Sequence, residues 1–432
     1  MFNWTKRAAP QRQLIVELYA RFVREFVAEC QRQGRLLKSY DRGARALVFG
    51  DGPGEIRFQL DNIFATWLKQ DRNGRAGVIS RFVRAGTESN KPAAISPERL
   101  SDELMPGVRS RVQICNTLLQ SWIDGAPIDD SAGTAWLPFV GDLAACVVRN
   151  KRDTMSQVTC ANLAFANLPI DRAIRQAMTN FRASIPSPVF EPVDPGVFGC
   201  RNLEDHQSAL LLLVPGEDYV LPPLQGVPVA LVPSRNMFFL TGSEDVRGMA
   251  RLLEIAQGAH QMPNSCSSTM LQWTGERWSE FHFRPGSAGA RREREISQVR
   301  SATDYGFQKQ LLDQFHRKHG RDIVVANLLF YRGNDVEASV FSVTALASGT
   351  TGTLLPRADR LSFVRQIIDP DTGVAQKDGS DIVNVAWSEA MDVAGDLFEP
   401  VPFLYPPRLR ALGFPDADAW ASLKALNPGP RP

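Results

Sequence analysis

The stretch Ala46-Leu47-Val48-Phe49-Gly50-Asp51-Gly52-Pro53-Gly54-Glu55-Ile56-Arg57-Phe58-Gln59-Leu60-Asp61-Asn62-Ile63-Phe64 carries the reading of the fold. Apolar side chains alternate on both flanks of a run of Gly, Asp and Pro. Alternation is the period of a strand, and the run between has the chemistry of a tight turn, so two strands meet there. From Asp61 the spacing changes. Ile63, Phe64, Trp67 and Leu68 recur three and four apart, the period of a short helix that Asp61 is placed to cap. Upstream, Gln11 to Gln33 is an amphipathic helix with Ile15, Leu18, Tyr19, Phe22 and Phe26 on one stripe and Gly34 placed to end it. A further helical stretch carries Val78, Ile79, Phe82 and Val83, so the chain opens α-β-β-α-α.

The same two periods organise the rest. Glu88 to Asp102 and Asp124 to Gly133 read as loops, and Val108 to Ile114 and Leu143 to Arg149 as strands. Thr159 to Phe165 and Asp171 to Phe181 read as helices, the second with Asp171 as its cap. Strands are expected at Leu210 to Val214, Val227 to Val232 and Met237 to Leu240, then a helix capped by Ser243. A strand pair is expected at Thr269 to Trp273 and Trp278 to Phe283. Pro285 to Ala290, followed by the charge run Arg291 to Glu295, marks a boundary. Beyond it lie a helix at Tyr305 to His319, strands within Ile323 to Tyr331, Val336 to Leu346, Leu361 to Ile368 and Ile382 to Trp387, and a Pro-rich tail expected to run extended over the surface. The fold class is α+β, with mixed or antiparallel sheets flanked by helices. Three modules are expected: residues 1–130, 131–285 and 300–432.

With 432 residues, 44% apolar and 22% charged, the chain can bury more than one core. Its net charge of +2 argues against a nucleic-acid partner. No stretch reaches the roughly 18 apolar residues that span a bilayer, and Met1 to Gln13 lacks the pattern of a signal peptide, so a cytoplasmic protein without a membrane partner is expected. Cys30, Cys115, Cys146, Cys160, Cys200 and Cys266 are scattered in largely apolar surroundings and read as free thiols.

Each candidate for chemistry has a plainer reading beside it. Gly50 to Gly54 lacks the strand-to-helix setting of a phosphate loop and reads as a hairpin turn, and Gly349 to Thr353 lacks the P-loop lysine. Cys200, His206, His260 and Cys266 could supply a tetrahedral zinc site, but their spacing is unlike that of zinc fingers, and no metal or other cofactor is expected. Asp313, His316 and His319 share a helix face, where His316 to His319 equally suits the helix dipole. Ser265, Ser267 and Ser268 show no triad, and no G-x-S-x-G elbow occurs. Cys200 beside Arg201 is the least apolar thiol and the one candidate nucleophile. Arg291 to Arg294 is interleaved with Glu293. Ser234, Arg235 and Asn236 form a Pro-led turn in which the arginine could hold an anion or pin the turn. They are the candidate binding residues.

An ordered set of segments resembles an uncharacterised bacterial family typified by the YtpQ protein. The segments are the N-terminal helix and strand pair into Leu60-Asp61-Asn62-Ile63-Phe64, Leu104-Met105-Pro106-Gly107-Val108-Arg109, Pro138-Phe139-Val140-Gly141-Asp142-Leu143, Met155-Ser156-Gln157-Val158-Thr159, Ala177-Met178-Thr179-Asn180-Phe181, and Val229-Ala230-Leu231-Val232-Pro233-Ser234-Arg235-Asn236. They cover residues 10–285. Asn236 stands where that pattern would carry an acidic residue, which weakens a charge-based role for the turn. The resemblance implies an α/β fold in a bacterial cytosolic protein and brings no activity with it. The expected role is a non-catalytic interaction or scaffold protein with a protein partner, its tail aromatics Phe398, Phe403, Tyr405 and Phe414 suited to packing on another surface. The alternatives are an enzyme of unrecognised type, possibly a hydrolase, and a nucleic-acid-binding protein.

Overall fold

The computed structural model describes residues 9–41, 45–50, 56–68, 70–89, 97–151, 154–262, 264–332, 340–350, 352–368 and 375–427. Within it the chain is an α+β protein. Residues 51–54 of the expected hairpin turn and Thr351 of the second glycine loop lie outside the described residues, as do 90–96, 336–339 and the last five of the tail.

The N-terminal unit comprises α1 (Ala9–Arg32), β1 (Leu37–Asp41), β2 (Ala46–Phe49), β3 (Ile56–Gln59), α2 (Leu60–Leu68) and α3 (Gly74–Ser89). The order carries one strand more than the sequence pattern, because β1 presents an exposed, polar Leu-Lys-Ser-Tyr-Asp to solvent and leaves no apolar alternation to read. The three strands form an antiparallel sheet in which Phe49 pairs with Ile56. Phe22, Phe26 and Cys30 of α1 are buried against Phe58, Ile63, Trp67 and Val83, so this unit has a core of its own. Gly34, at φ +77°, ends α1, and Arg35 N–H returns to Cys30 O at 2.9 Å, a left-handed cap that glycine adopts without strain.

The central unit runs through α4 (Pro97–Glu103), β4 (Leu104–Ser110), α5 (Arg111–Asp124), β5 (Trp136–Pro138), β6 (Leu143–Lys151), β7 (Thr154–Gln157), α6 (Cys160–Phe165) and α7 (Ile170–Ser184). It continues through β8 (Phe190–Asp194), β9 (Val197–Cys200), β10 (Pro228–Ser234), β11 (Met237–Gly242), α8 (Val246–Gly258), β12 (Leu271–Trp273), β13 (Trp278–Glu280) and the long α9 (Ala288–Lys318). One antiparallel sheet has the order β4-β6-β5, with β7 on β6. The other has six antiparallel strands in the order β13-β12-β10-β11-β9-β8. Strand period decides the two faces of β10. Ala230 and Val232 join Val108 and Leu143 in one core, while Val229 and Leu231 meet Leu252 of α8 and Ile296 of α9 in another.

At five places the structure departs from the local sequence pattern. Val108 to Ile114 is not one strand: β4 stops at Ser110 and α5 begins at Arg111. The helical spacing of Val112, Cys115, Leu119 and Trp122 emerges only when the window reaches Trp122. Pro97–Glu103 of the expected polar loop is helix α4. Leu210 to Val214 is no strand, since Glu204–Leu212 is a 3-10 helix with Leu210 and Leu211 fully buried; a short apolar run has no period to distinguish the two. Asp171 lies in the first turn of α7, and Pro169 precedes the helix. Asp245, not Ser243, caps α8, accepting from Gly248 N–H at 2.8 Å, while Ser243 Oγ accepts from Val227 N–H.

Ser287 caps α9, and His316, Arg317 and Lys318 close it against its own dipole. The helix runs unbroken through both the charge run and the segment Tyr305 to His319. Ile296 packs with α8, and Leu311, Leu312 and Phe315 pack with Leu118, Leu119 and Trp122 of α5.

The C-terminal unit contains β14 (Leu329–Arg332), β15 (Val340–Ala347), β16 (Leu354–Pro356), β17 (Arg360–Ile368), β18 (Ala375–Ala386), α10 (Trp387–Ala394), β19 (Phe398–Pro400), β20 (Arg408–Ala411) and α11 (Ala417–Leu426). Its larger sheet, β14-β15-β17-β18, is antiparallel except for the parallel pair β15 and β17. The tail does not simply coat the surface. It adds a small sheet, β16-β20-β19, and α11, whose Trp420 and Leu423 complete the core around Phe363 and Val385.

Arg408 of β20 is 1% exposed, yet no carboxylate pairs with it among the described residues. Its guanidinium instead donates to Gln308 Oε1 (2.6 Å), Ala326 O (2.9 Å), Leu354 O (3.0 Å) and Tyr305 O (3.2 Å). Burial lowers its pKa to about 10. Around it, Tyr305 Oη donates to Pro407 O and Gln308 Nε2 to Pro406 O, each at 2.9 Å. Arg408→Met leaves Gln308 Oε1 and Ala326 O buried without a donor, and on the order of 3 kcal/mol or more of stability is expected to be lost in urea titration. On α7, Arg182 forms a two-point bridge to Asp218, at 2.9 Å on each oxygen, and holds that carboxyl below its ordinary pKa. A depressed carboxyl stabilises the fold above its unfolded pKa, and that contribution is lost as pH falls through the folded value. Asp218→Asn is therefore expected to flatten the acid limb of a stability-versus-pH curve, and an unchanged limb would contradict the bridge.

Candidate functional site

The side chains that converge on α9 come from distant parts of the sequence. Arg300 projects from α9 toward the turn between β5 and β6, where Asp142 sits, and toward Asp304 one turn along its own helix. Its Nη2 lies 3.1 Å from Asp142 Oδ2, and its Nε lies 3.2 Å from Asp304 Oδ2. Arg300 Nη2 also donates to Cys266 O at 2.8 Å. Ser267 Oγ donates to the other Asp142 oxygen at 2.6 Å. Burial works against the Arg300 charge, but the two carboxylates outweigh it and raise its pKa. For Asp304 the balance goes the other way: burial raises its pKa in spite of the arginine.

Arg300 and Asp304 of this cluster line two clefts. The first, about 500 Å³, is lined by Asp142, Glu280, Glu293, His282, Tyr305 and Tyr405 among others. His282 Nδ1 lies 2.8 Å from Glu293 Oε1 and its Nε2 3.6 Å from Glu280 Oε2. Tyr405 packs over the Arg111 guanidinium at 4.0 Å, and burial pushes its phenol up to about 12. The second cleft, about 630 Å³, lies between α5 and α9, within the usual range for a small-molecule site.

Four polar groups on the second cleft stand out by what they lack. Ser110 Oγ, Asn116 Oδ1 and Arg300 Nη1 are buried with no hydrogen-bond partner among the described residues. Arg109 is 6% exposed, and its guanidinium reaches only Val108 O, at 2.9 Å, and the Met155 sulfur, at 3.8 Å. No carboxylate pairs with it among the described residues. Desolvating a guanidinium costs several kcal/mol, whereas a hydrogen bond to a neutral carbonyl returns about 1 kcal/mol. Those two contacts do not offset the cost. Apolar surface completes the cleft: Ile114 and Leu311 are buried, and Phe307 stays 51% exposed.

The residues singled out from sequence lie mostly elsewhere. Ser234, Arg235 and Asn236 are found at the β10–β11 turn, outside the lining of either cleft. Ser234 Oγ donates to Asn236 Oδ1 at 2.7 Å. The Arg235 backbone receives Ser208 N–H and donates to Asn264 O, each at 3.1 Å. Among the described residues no group of three His, Cys, Asp or Glu side chains is placed to hold a metal ion. Of the four zinc candidates, Cys200 lies against Asn202, His206 packs on Phe181, Cys266 lies over Val108 O, and His260 alone lines the second cleft. His316 is buried beside Phe315, His319 packs on the same ring at 4.5 Å, and Asp313 bridges to Lys309. Ser267 holds Asp142, while Ser265 and Ser268 line the second and first clefts. Of the tail aromatics, Phe398 packs on the C-terminal core, Phe414 on Trp420 and Tyr405 on Arg111, while Phe403 touches Trp122 and stays half exposed.

Arg109, Asp142 and Arg300 did not stand out in the linear sequence. Arg109 carried a signal all the same: it ends the otherwise uncharged run Leu104 to Val108, in a strand buried at every position. No family model, curated protein or solved structure matches the chain.

None of the six thiols suits nucleophilic work. Burial raises the pKa of all six, Cys115 to about 11 and Cys30 and Cys266 to about 12. Cys200 is buried, so Arg201, whose charge faces Glu191, does not activate it. In a native-state labelling time course at neutral pH, only Cys160, the one thiol that is not fully buried, is expected to react ahead of global unfolding. Early labelling of Cys200 would contradict this assignment.

Proposed function

We propose that this chain is a non-catalytic binding protein whose ligand is a small polar molecule seated in the cleft between α5 and α9. The observation that carries the reading is the set of buried, unsatisfied polar groups on that wall: Ser110 Oγ, Asn116 Oδ1 and Arg300 Nη1, beside the uncompensated Arg109. Buried polar groups in native proteins find partners, and in a cleft of this size a ligand supplies them. The thiols are insulated, and the Asp142 carboxylate is already held by Arg300 and Ser267. A protein partner for the tail rests on Phe403 alone, which is half exposed, since Phe398 and Phe414 pack on the chain's own core. The YtpQ-type resemblance adds an expected bacterial origin and no chemistry.

A second reading, a hydrolytic enzyme, is favoured by one observation. Burial raises the pKa of the Asp304 carboxyl, which lines both clefts, as suits a general acid. Asp304→Asn separates the readings: it abolishes turnover of any substrate for an enzyme, whereas a binding protein keeps its ligand and holds an anionic one at least as tightly.

The test is thermal melting of the whole chain against small anionic, neutral and cationic compounds. At least one class is expected to raise the melting temperature. Thr303→Trp, an exposed position on the cleft lining, is expected to remove that rise. If no class shifts the wild-type melting temperature, the reading falls.

A further inference from the structure

The chemistry of the second cleft identifies its ligand more narrowly; this step rests on the binding reading above. We propose that the cleft takes a monocarboxylate that carries a hydrogen-bond donor near the carboxylate and an apolar body.

The anion follows from Arg109. A guanidinium that is 6% exposed, bonded only to one carbonyl and one thioether, is short of negative charge. Arg300 Nη1 and Ser110 Oγ add two donors on the same lining. A carboxylate has the lone pairs to accept from all three.

The single charge follows from a count of the lining. Arg109 and Arg300 contribute two positive charges, and Asp142, held by Arg300 and Ser267, offsets one of them. Burial raises the pKa of Asp304 and favours its neutral form, which leaves one positive charge. Asp124, at the exposed end of α5, accepts from Gln120 and belongs to the rim. The buried part of the site therefore has room for one negative charge, and a dianion such as a phosphate monoester would face Asp304 with an uncompensated charge.

The neighbouring donor follows from Asn116. Its Oδ1 is an acceptor with no partner, so the ligand must bring an N–H or O–H to it. The apolar body follows from size and lining. About 630 Å³ far exceeds one carboxylate, and Ile114, Leu311 and the exposed ring of Phe307 cover the remaining wall. A ring lying on Phe307 would remove an exposed aromatic surface from water.

Four aromatic probes test each element by calorimetry on the full chain: 3-phenyllactate, its uncharged amide, 3-phenylpropionate, which lacks the hydroxyl, and phenyl phosphate. 3-Phenyllactate is expected to bind, and each of the other three at least about tenfold more weakly. Arg109→Met is expected to weaken 3-phenyllactate by about tenfold or more, and Arg109→Lys to recover part of the loss. Should Arg109→Met fail to fold, Asn116→Leu serves in its place, and is expected to bring 3-phenyllactate down to the affinity of 3-phenylpropionate. Equal binding of the amide overturns the anion, and tighter binding of phenyl phosphate overturns the single charge. Binding unchanged by Asn116→Leu overturns the paired donor. If 3-phenyllactate does not bind while neutral or cationic compounds do so in a manner blocked by Thr303→Trp, this inference alone is wrong. If nothing binds, the binding reading falls with it.

Discussion

Arg408 carries a full charge in the driest part of the C-terminal unit, held by neutral oxygens alone among the described residues. Those oxygens belong to α9, to the segment before β14 and to β16, so one side chain ties three parts of the chain to β20. Its two contacts on α9, Tyr305 O and Gln308 Oε1, lie within two turns of Arg300, Asp304 and Phe307. Fixing the helix at that height fixes where these three meet α5 and the Asp142 turn. The clefts thus depend on a pin that touches neither α5 nor Asp142.

Arg408, Arg300 and Arg109, each largely withdrawn from solvent, show three ways of meeting the same cost. Arg408 spreads its charge over four oxygens, and its pKa falls to about 10. Arg300 takes two carboxylates and its pKa rises. Arg109 has neither solution within the described residues. Of the three, Arg109 alone faces a cleft with neither a carboxylate nor a set of oxygens around its charge among the described residues.

Legibility in the sequence followed period and length. α1, α7 and α8 are long enough for three or more turns of apolar spacing, and their inner faces were readable residue by residue. β2 and β3, with Ala46 to Phe49 and Ile56 to Gln59, alternate around turn chemistry and were equally plain. Where the signal was short it misled. Leu210 to Leu213 is apolar throughout, so nothing in it distinguishes a strand from a buried 3-10 helix. Ser110-Arg111 passes from strand to helix with no loop residue to mark the change. β1 was missed because an exposed strand needs no apolar pattern.

By itself the sequence determined the fold class, the absence of reactive motifs and most elements, since these are properties of neighbours along the chain. The site was decided by tertiary structure. Asp142 and Arg300 are joined across 158 positions, and Ser267 approaches Asp142 across 125. What makes Arg109 significant is not its identity but its burial beside Ser110, Asn116 and Arg300 without a counter-charge. Burial and the lack of a partner are properties of the surroundings, and only the folded chain supplies surroundings.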